Sequence, residues 1–404
     1  MSGRTAAGGE RLERIARTLG DERLDALICT LPENVLLLSG YWPVVGTALA
    51  VATPGGRVAV LAPEDERDLA HGGWATEVRT YTPGSLESLA GPEDTVREPL
   101  TALLADLGVA SGRLGWEDGA FYQGASYAAM YLFGSGVPAL LSGTAPRGTL
   151  VPGMPAISRL RSSLTPYEVD RVRLGCAIAG EAFVAATGTI RPGRSEAEVA
   201  VAIAGPLEVR GLNHPAVRRT RAFAWCMSGP HSALAGAAYA RTRDRRLQEG
   251  DLVLVHCNTY IDGYWTDITR TYCLGQPDER QQAMYDAIAD ARDAALAEIA
   301  PDARAADVDA AARRVLAGRG FGDYFTHGIG HSVGFSVISA DFPPRLHPAS
   351  PDRLAVGMTF NIEPAIYIQG YGGIRHCDVV TVHEDGPEVL TGFQSGLEEL
   401  AIAV

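Results

Sequence analysis

Chemistry-bearing side chains gather in four stretches of this 404-residue chain. The first, Gly250 to Thr271, holds His256 and Asp267. The second, Thr326-His327-Gly328-Ile329-Gly330-His331, sets two imidazoles among glycines, which lets backbone run close to a bound species. The third, Thr359 to Pro364, carries one carboxylate, Glu363. The fourth, Gly372 to Asp378, carries Arg375, His376 and Cys377. Taken singly, each His, Glu or Cys among these residues reads more readily as structural than as catalytic. In the order His, Asp, His, Glu, Cys on successive strands, they form a set able to ligate a metal or move a proton. A phosphate cradle is a weak reading of the glycines, because no lysine or GxGxxG context accompanies them.

The first stretch must be positioned by a hairpin. Leu252 to Val255 is a short apolar run, and Asp262-Gly263 is a two-residue turn signal. A two-residue turn pairs Ile261 with Tyr264, His256 with Thr269 and Asn258 with Asp267. Alternation then puts His256, Asn258, Asp267 and Thr269 on one face, with His256 and Asp267 as diagonal neighbours roughly 7–8 Å apart at the backbone. The bland alternative is a hairpin whose polar face meets water.

Composition removes several function classes. A net charge of -13 argues against nucleic acid and anionic membranes as partners. The chain has no lysine, which excludes a lysine-bound pyridoxal phosphate, a P-loop nucleotide site and a Ser-Lys dyad. The six cysteines show no CxxC spacing, as expected of free thiols in a reducing cytoplasm. Neither a leader-like apolar segment nor a run of 18 apolar residues occurs, so the expected location is cytoplasmic.

Two or three domains are expected from the length. Residues 1–9 read as a frayed tail, followed by a helix over 11–18, a strand over 24–29 and a β-hairpin over 46–61. Helical patterns over 63–70 and 94–107 and a short strand at 114–116 complete an α/β domain spanning 1–155, without a catalytic constellation. Thr165-Pro166-Tyr167-Glu168 opens a helix, and Ser195 to Glu198 opens a second, capped one. Further helices at 279–299 and 306–317, with strands over 251–274 and 358–383, make 156–404 an α+β domain.

The four stretches and the helix entry at Thr165 resemble the creatinase/Xaa-Pro aminopeptidase branch of the pita-bread peptidases, over nearly the whole chain. The resemblance implies an α/β creatinase-like N-terminal domain and a pita-bread catalytic domain. It also implies a two-metal site of Asp, Asp, His, Glu and Glu, positions that fall here on His256, Asp267, His331, Glu363 and Cys377. The family's two proton-handling histidines fall on Gly236 and Ile338. Trp42 falls where relatives lean over a partner's site, implying a homodimer.

Imidazole and thiol at two ligand positions remove two negative charges, which disfavours hard oxygen-seeking ions. Two arrangements follow for an enzyme. In one, Asp267, His331, Glu363 and Cys377 hold one zinc or iron, with His256 as fifth ligand or base; in the other there is no metal, and His256 and Cys377 form a nucleophilic pair oriented by Asp267 or Glu363. The expectation is a divergent enzyme cleaving a C–N bond in a small amino-acid-derived substrate. A catalytically silent binding protein and a conventional Xaa-Pro peptidase are the alternatives. His327, His231, Arg375 and His376 are candidates for binding the substrate's carboxylate.

Overall fold

The computed structural model describes residues 2–43, 46–83, 91–118, 136–236, 241–336 and 342–404. Contacts divide the chain into two units, Met1–Tyr167 and Glu168–Val404. Among the described residues, no helix is long and apolar enough to cross a membrane.

The first unit runs α1 (Ser2–Asp21), β1 (Ala26–Cys29), α2 (Pro32–Ser39), β2 (Leu49–Ala52), β3 (Val58–Pro63), α3 (Arg67–His71), β4 (Glu77–Tyr81), α4 (Pro92–Asp106), β5 (Arg113–Trp116), α5 (Gly136–Thr144), β6 (Thr149–Pro152) and α6 (Met154–Arg161). Its sheet has the order β4-β3-β2-β1-β5-β6. The central strands are apolar throughout and buried on both faces, as expected of a sheet covered by helices. Ile28, Val51 and Leu61 meet Val96, Leu100 and Leu104 of α4 in its core. Of the frayed tail expected over 1–9, residues 2–9 are instead the first turns of α1. Gly8 lies so close to Trp74 that a Cβ there would sit 2.5 Å from the tryptophan Cβ, so this turn is held by packing and not by propensity. No candidate site residue belongs to this unit.

The second unit continues with α7 (Pro166–Ala186), α8 (Glu196–Asn213), β7 (Thr220–Ser228), β8 (Leu252–Ile261), β9 (Tyr264–Leu274), α9 (Glu279–Ala297) and α10 (Ala305–Gly318). Short strands follow: β10 (Gly330–His331), β11 (Arg345–Leu346), β12 (Thr359–Ile362), β13 (Ala365–Ile368), β14 (Gly372–Arg375), β15 (Asp378–His383), β16 (Gly386–Val389) and, after α11 (Leu397–Leu400), β17 (Ala401–Ile402). Ser195 caps α8 through a complete capping box: its Oγ accepts from Glu198 N at 3.1 Å, and Glu198 Oε2 accepts from Ser195 N at 2.7 Å.

One sheet has the order β17-β9-β8-β7, and β12-β15-β16 forms a second. The hairpin has the expected register, with Ile261 on Tyr264, His256 on Thr269 and Asn258 on Asp267. Its turn needs positive φ at both central residues, and Asp262 (49°) and Gly263 (89°) supply it. Arg171 Nη2 donates to Asp262 Oδ2 at 2.8 Å and fixes the turn to α7. A further bridge pairs Thr269 with Cys377. Trp225, His256, Thr269 and Cys377 therefore form one rung across four successive chain segments.

Candidate active site

Residues on one rung share a face, so the hairpin floor displays His256, Asn258, Asp267 and Thr269 together, with Cys377 beside them. His256 Nδ1 lies 2.9 Å from Thr269 Oγ1 and 3.5 Å from Asp267 Oδ1, while its Nε2 lies 3.0 Å from Asn258 Oδ1. Asp267 Oδ2 is 3.5 Å from His331 Nε2, which in turn is 3.8 Å from Glu363 Oε1. The Cys377 thiol donates to the Asp267 carbonyl oxygen at 3.2 Å and lies 3.8 Å from Oδ1 of the same residue. The structure thus brings His256, Asp267, His331, Glu363 and Cys377 into one cluster.

Backbone contacts set the second half of the cluster. Gly330 passes so close to β12 that a Cβ would meet the Asn361 carbonyl oxygen at 1.9 Å, so only glycine fits there. Glu363 N donates to Ile329 O at 2.7 Å, and His331 N donates to Asn361 Oδ1 at 2.7 Å. His331 Nδ1 donates to Ser332 O at 3.1 Å, which leaves Nε2 as the acceptor facing the carboxylates. Asn361 Nδ2 donates to that Nε2 at 3.1 Å and reaches Cys377 Sγ at 3.6 Å.

The buried surroundings push each ionisable group toward a definite state. Burial, then repulsion from Glu363, raises the Asp267 carboxyl to about 6. Burial, then the Arg375 charge, holds the His256 imidazole well below its usual value, so it is neutral. Burial, then the charges of Asp267 and Glu363, pushes the Cys377 thiol far up and keeps it protonated. Burial opposes the Arg375 cation, but Tyr367, Glu363 and Asp267 outweigh it and raise its pKa. Arg375 Nε donates to Thr269 Oγ1 at 3.1 Å and lies 3.8 Å from Glu363 Oε2.

Of the four candidates for binding substrate, two lie at the cluster. Arg375 is one. The other is His327, whose Nε2 sits 3.2 Å from the Tyr367 hydroxyl. The other two point elsewhere and correct the sequence reading. His376 alternates with Arg375 and Cys377, so its ring turns to the opposite side, 3.3 Å from Asp378 Oδ2 beside the Arg270 and Arg292 ion pairs. His231 Nδ1 lies 3.2 Å from Glu196 Oε1, a buried carboxylate that also accepts from Ser228 N and Oγ; this cluster ties α8 to the end of β7.

Two participants escaped sequence reasoning. Asn361 sits two residues before Glu363, and strand alternation alone could have placed it on the same side. Tyr367 is the other: its hydroxyl, pushed up to about 12 by burial and remaining protonated, faces His327. At Gly236, where the resemblance puts one catalytic histidine, a Cβ would lie 2.6 Å from Tyr367 Cε2, so the tyrosine ring fills that space. Ile338 lies outside the described residues.

Residues 170–384 match the metallopeptidase family M24, and residues 11–162 match the creatinase/prolidase N-terminal domain. The chain belongs to the M24 family. The Xaa-Pro dipeptidase of Pyrococcus furiosus is 34% identical over 58% of this M24 chain, an alignment spanning 64% of the relative's length. The crystal structure of the prolidase from Pyrococcus horikoshii OT3 superposes with a TM-score of 0.76 at 26% identity, covering 95% of this chain and 99% of that one. The dipeptidase PepE from Mycobacterium ulcerans gives 0.73 at 29% identity, covering 99% of each chain. The pita-bread catalytic domain and creatinase-like N-terminal domain expected from the sequence are thereby established. These comparisons lend no support to setting peptidase activity aside.

M24 membership implies metal, and the donor set here tests that implication. A bridged ion pair needs carboxylates at the positions of His256 and Cys377. Instead both imidazole nitrogens of His256 engage Thr269 and Asn258, and Cys377 is a buried thiol donating to a carbonyl. Among the described residues, no group of three or more His, Cys, Asp and Glu side chains is arranged to hold a metal ion. The residues therefore do not fit the family's two-metal centre.

Proposed function

We propose that this M24 protein is a hydrolase that cleaves the C–N bond of a small amide, with Xaa-Pro dipeptides as the substrates to try first. The observation that carries the proposal is the convergence of Asp267, His331 and Glu363, whose polar atoms approach within 3.5–3.8 Å beside the Arg375 guanidinium. The relatives' names supply the dipeptide class.

In this reading Asp267 is the general base. A carboxyl held near 6 is ionised at neutral pH yet basic enough to accept a proton from water. Water adds to the amide carbon, its proton passes to Asp267, and that proton leaves on the amine nitrogen as the C–N bond breaks. Arg375, with the protonated Tyr367 hydroxyl beside it, supplies positive potential for the developing oxyanion. His331 and Glu363 orient the water. His256, neutral and locked between Thr269 and Asn258, shapes the floor. A nucleophilic Cys377 fits poorly, since its surroundings favour the thiol over the thiolate. The proposal includes a homodimer, checked by light scattering on the eluting protein.

The test is hydrolysis of a panel of Xaa-Pro dipeptides, followed by release of proline. Turnover abolished by Asp267→Asn supports the proposal, and turnover unaffected by that change overturns it.

A further inference from the structure

Helix α10 carries an ion pair that holds the segment presenting His327 and His331. Asp309 and Arg313 are one helical turn apart, and Arg313 Nε donates to Asp309 Oδ2 at 2.6 Å. Asp309 is fully buried, and its other oxygen, Oδ1, accepts from Ile329 N at 2.9 Å. Arg313 Nη1 donates to Phe325 O at 3.1 Å, and its Nη2 donates to His327 O. The guanidinium also lies 4.5 Å over the Phe325 ring, which meets the His327 ring edge-on with centroids 5.1 Å apart. Residues 325, 327 and 329 are thus all tied to one turn of α10. From Ile329 the tie continues into the site, because its carbonyl oxygen accepts from Glu363 N at 2.7 Å. The intervening glycine is pinned as well: a Cβ at Gly328 would meet Leu346 O at 2.7 Å.

We propose that Arg313 is a positioning residue of the site: through Asp309 and the carbonyls of Phe325 and His327 it fixes the distances and angles at which His331 and Glu363 face Asp267. The inference rests on the hydrolase reading above. The contacts of Arg313 go to Asp309, to backbone oxygens and to the Phe325 ring, so it acts on the site through the segment it holds. Its residue type matters. A planar guanidinium serves a carboxylate and two carbonyls at once, whereas an ammonium is a single point of charge. Buried Asp309 needs a cation in either case. The Arg313 side chain is itself only part-buried, so changing it opens no large core cavity. What changes is the placement of the groups that orient the water, where a shift of about 1 Å can cost on the order of a hundredfold in rate.

The test reads placement and turnover separately in the full-length protein. Arg313→Lys keeps a cation beside Asp309 but cannot serve both carbonyls, and Arg313→Ala removes the tie. Hydrogen exchange followed by mass spectrometry is expected to show faster exchange over residues 325–331 in both variants, with the β8–β9 hairpin at its wild-type rate. With Xaa-Pro dipeptides, kcat should fall at least about tenfold in Arg313→Lys while KM stays within about threefold. Its melting temperature should stay within about 3 °C of wild type, which a merely structural tie could not combine with that loss. Unchanged exchange over 325–331 in Arg313→Lys overturns the proposal. So does faster exchange with wild-type kcat, or a loss carried by KM alone. Should Arg313→Ala fail to fold, Arg313→Lys decides. A wild type that hydrolyses no dipeptide removes the hydrolase reading, and the exchange rates then decide the placement of the segment by themselves.

Discussion

Cys377 Sγ lies 3.2 Å from the carbonyl oxygen of Asp267, held there because Cys377 and Thr269 bridge β9 to the segment entering β15. The thiol is a hydrogen-bond donor in a buried site flanked by carboxylates. Cys377 should therefore resist iodoacetamide at neutral pH in the native protein and react only on unfolding. Peptide mapping after brief alkylation checks this. Labelling of Cys377 well ahead of the buried Cys226 would contradict it.

Asp378 holds the strand that presents Cys377. Its Oδ1 accepts from Arg270 Nη2 at 2.8 Å and from Thr391 Oγ1 at 2.7 Å, and its Oδ2 accepts from Arg292 Nε at 2.5 Å. These partners hold its carboxyl well below the usual range despite burial. Asp378→Ala leaves a fully buried arginine without its counter-ion, a change that costs about 3–5 kcal/mol. Chemical denaturation should show a loss of that size, and a loss under about 1 kcal/mol would contradict the clamp.

The raised carboxyl of Asp267 gives a signed pH dependence. Its folded-state value of about 6 exceeds the ordinary 3.8, so the folded state binds the proton more readily between those values. The resulting stabilisation is fully present below the ordinary value and is lost as pH rises through about 6. Asp267→Asn should remove this contribution, so the difference in melting temperature between wild type and variant should change between pH 4 and 7. The same value places the acid limb of kcat/KM near pH 6. A limb at 4, with a variant whose melting temperature tracks the wild type at every pH, would refute the assignment.

Metal stoichiometry follows from the donor set. Wild-type protein equilibrated with Mn²⁺ should hold at most one ion per chain, because His256 and Cys377 offer neither a chelating nor a bridging carboxylate. The double variant His256→Asp, Cys377→Glu restores both and should take up two. Elemental analysis after gel filtration distinguishes the cases, and two ions in the wild type would contradict the reading of the site.

The polar floor was legible in the sequence because a two-residue turn fixes register, and register fixes facing. Asp262-Gly263 alone placed His256, Asn258, Asp267 and Thr269 correctly. Long-range approach was not legible. The contact of Gly330 with Asn361 and that of Gly236 with Tyr367 depend on how separate strands cross, which no local pattern encodes. His376 was misassigned for a different reason: adjacent strand residues face opposite ways, so Arg375 and His376 could not both have served the site. The helical start of α1 was missed because tertiary packing of Gly8 on Trp74 outweighs the weak propensity of a glycine-containing segment.

The most direct test of the central claim is the rate of proline release from Xaa-Pro dipeptides by wild type, Asp267→Asn and Glu363→Gln, each shown to be folded. The account predicts turnover by the wild type and a loss of at least about a hundredfold in kcat for Asp267→Asn, with a smaller loss for Glu363→Gln. Wild-type rates retained in Asp267→Asn would contradict it.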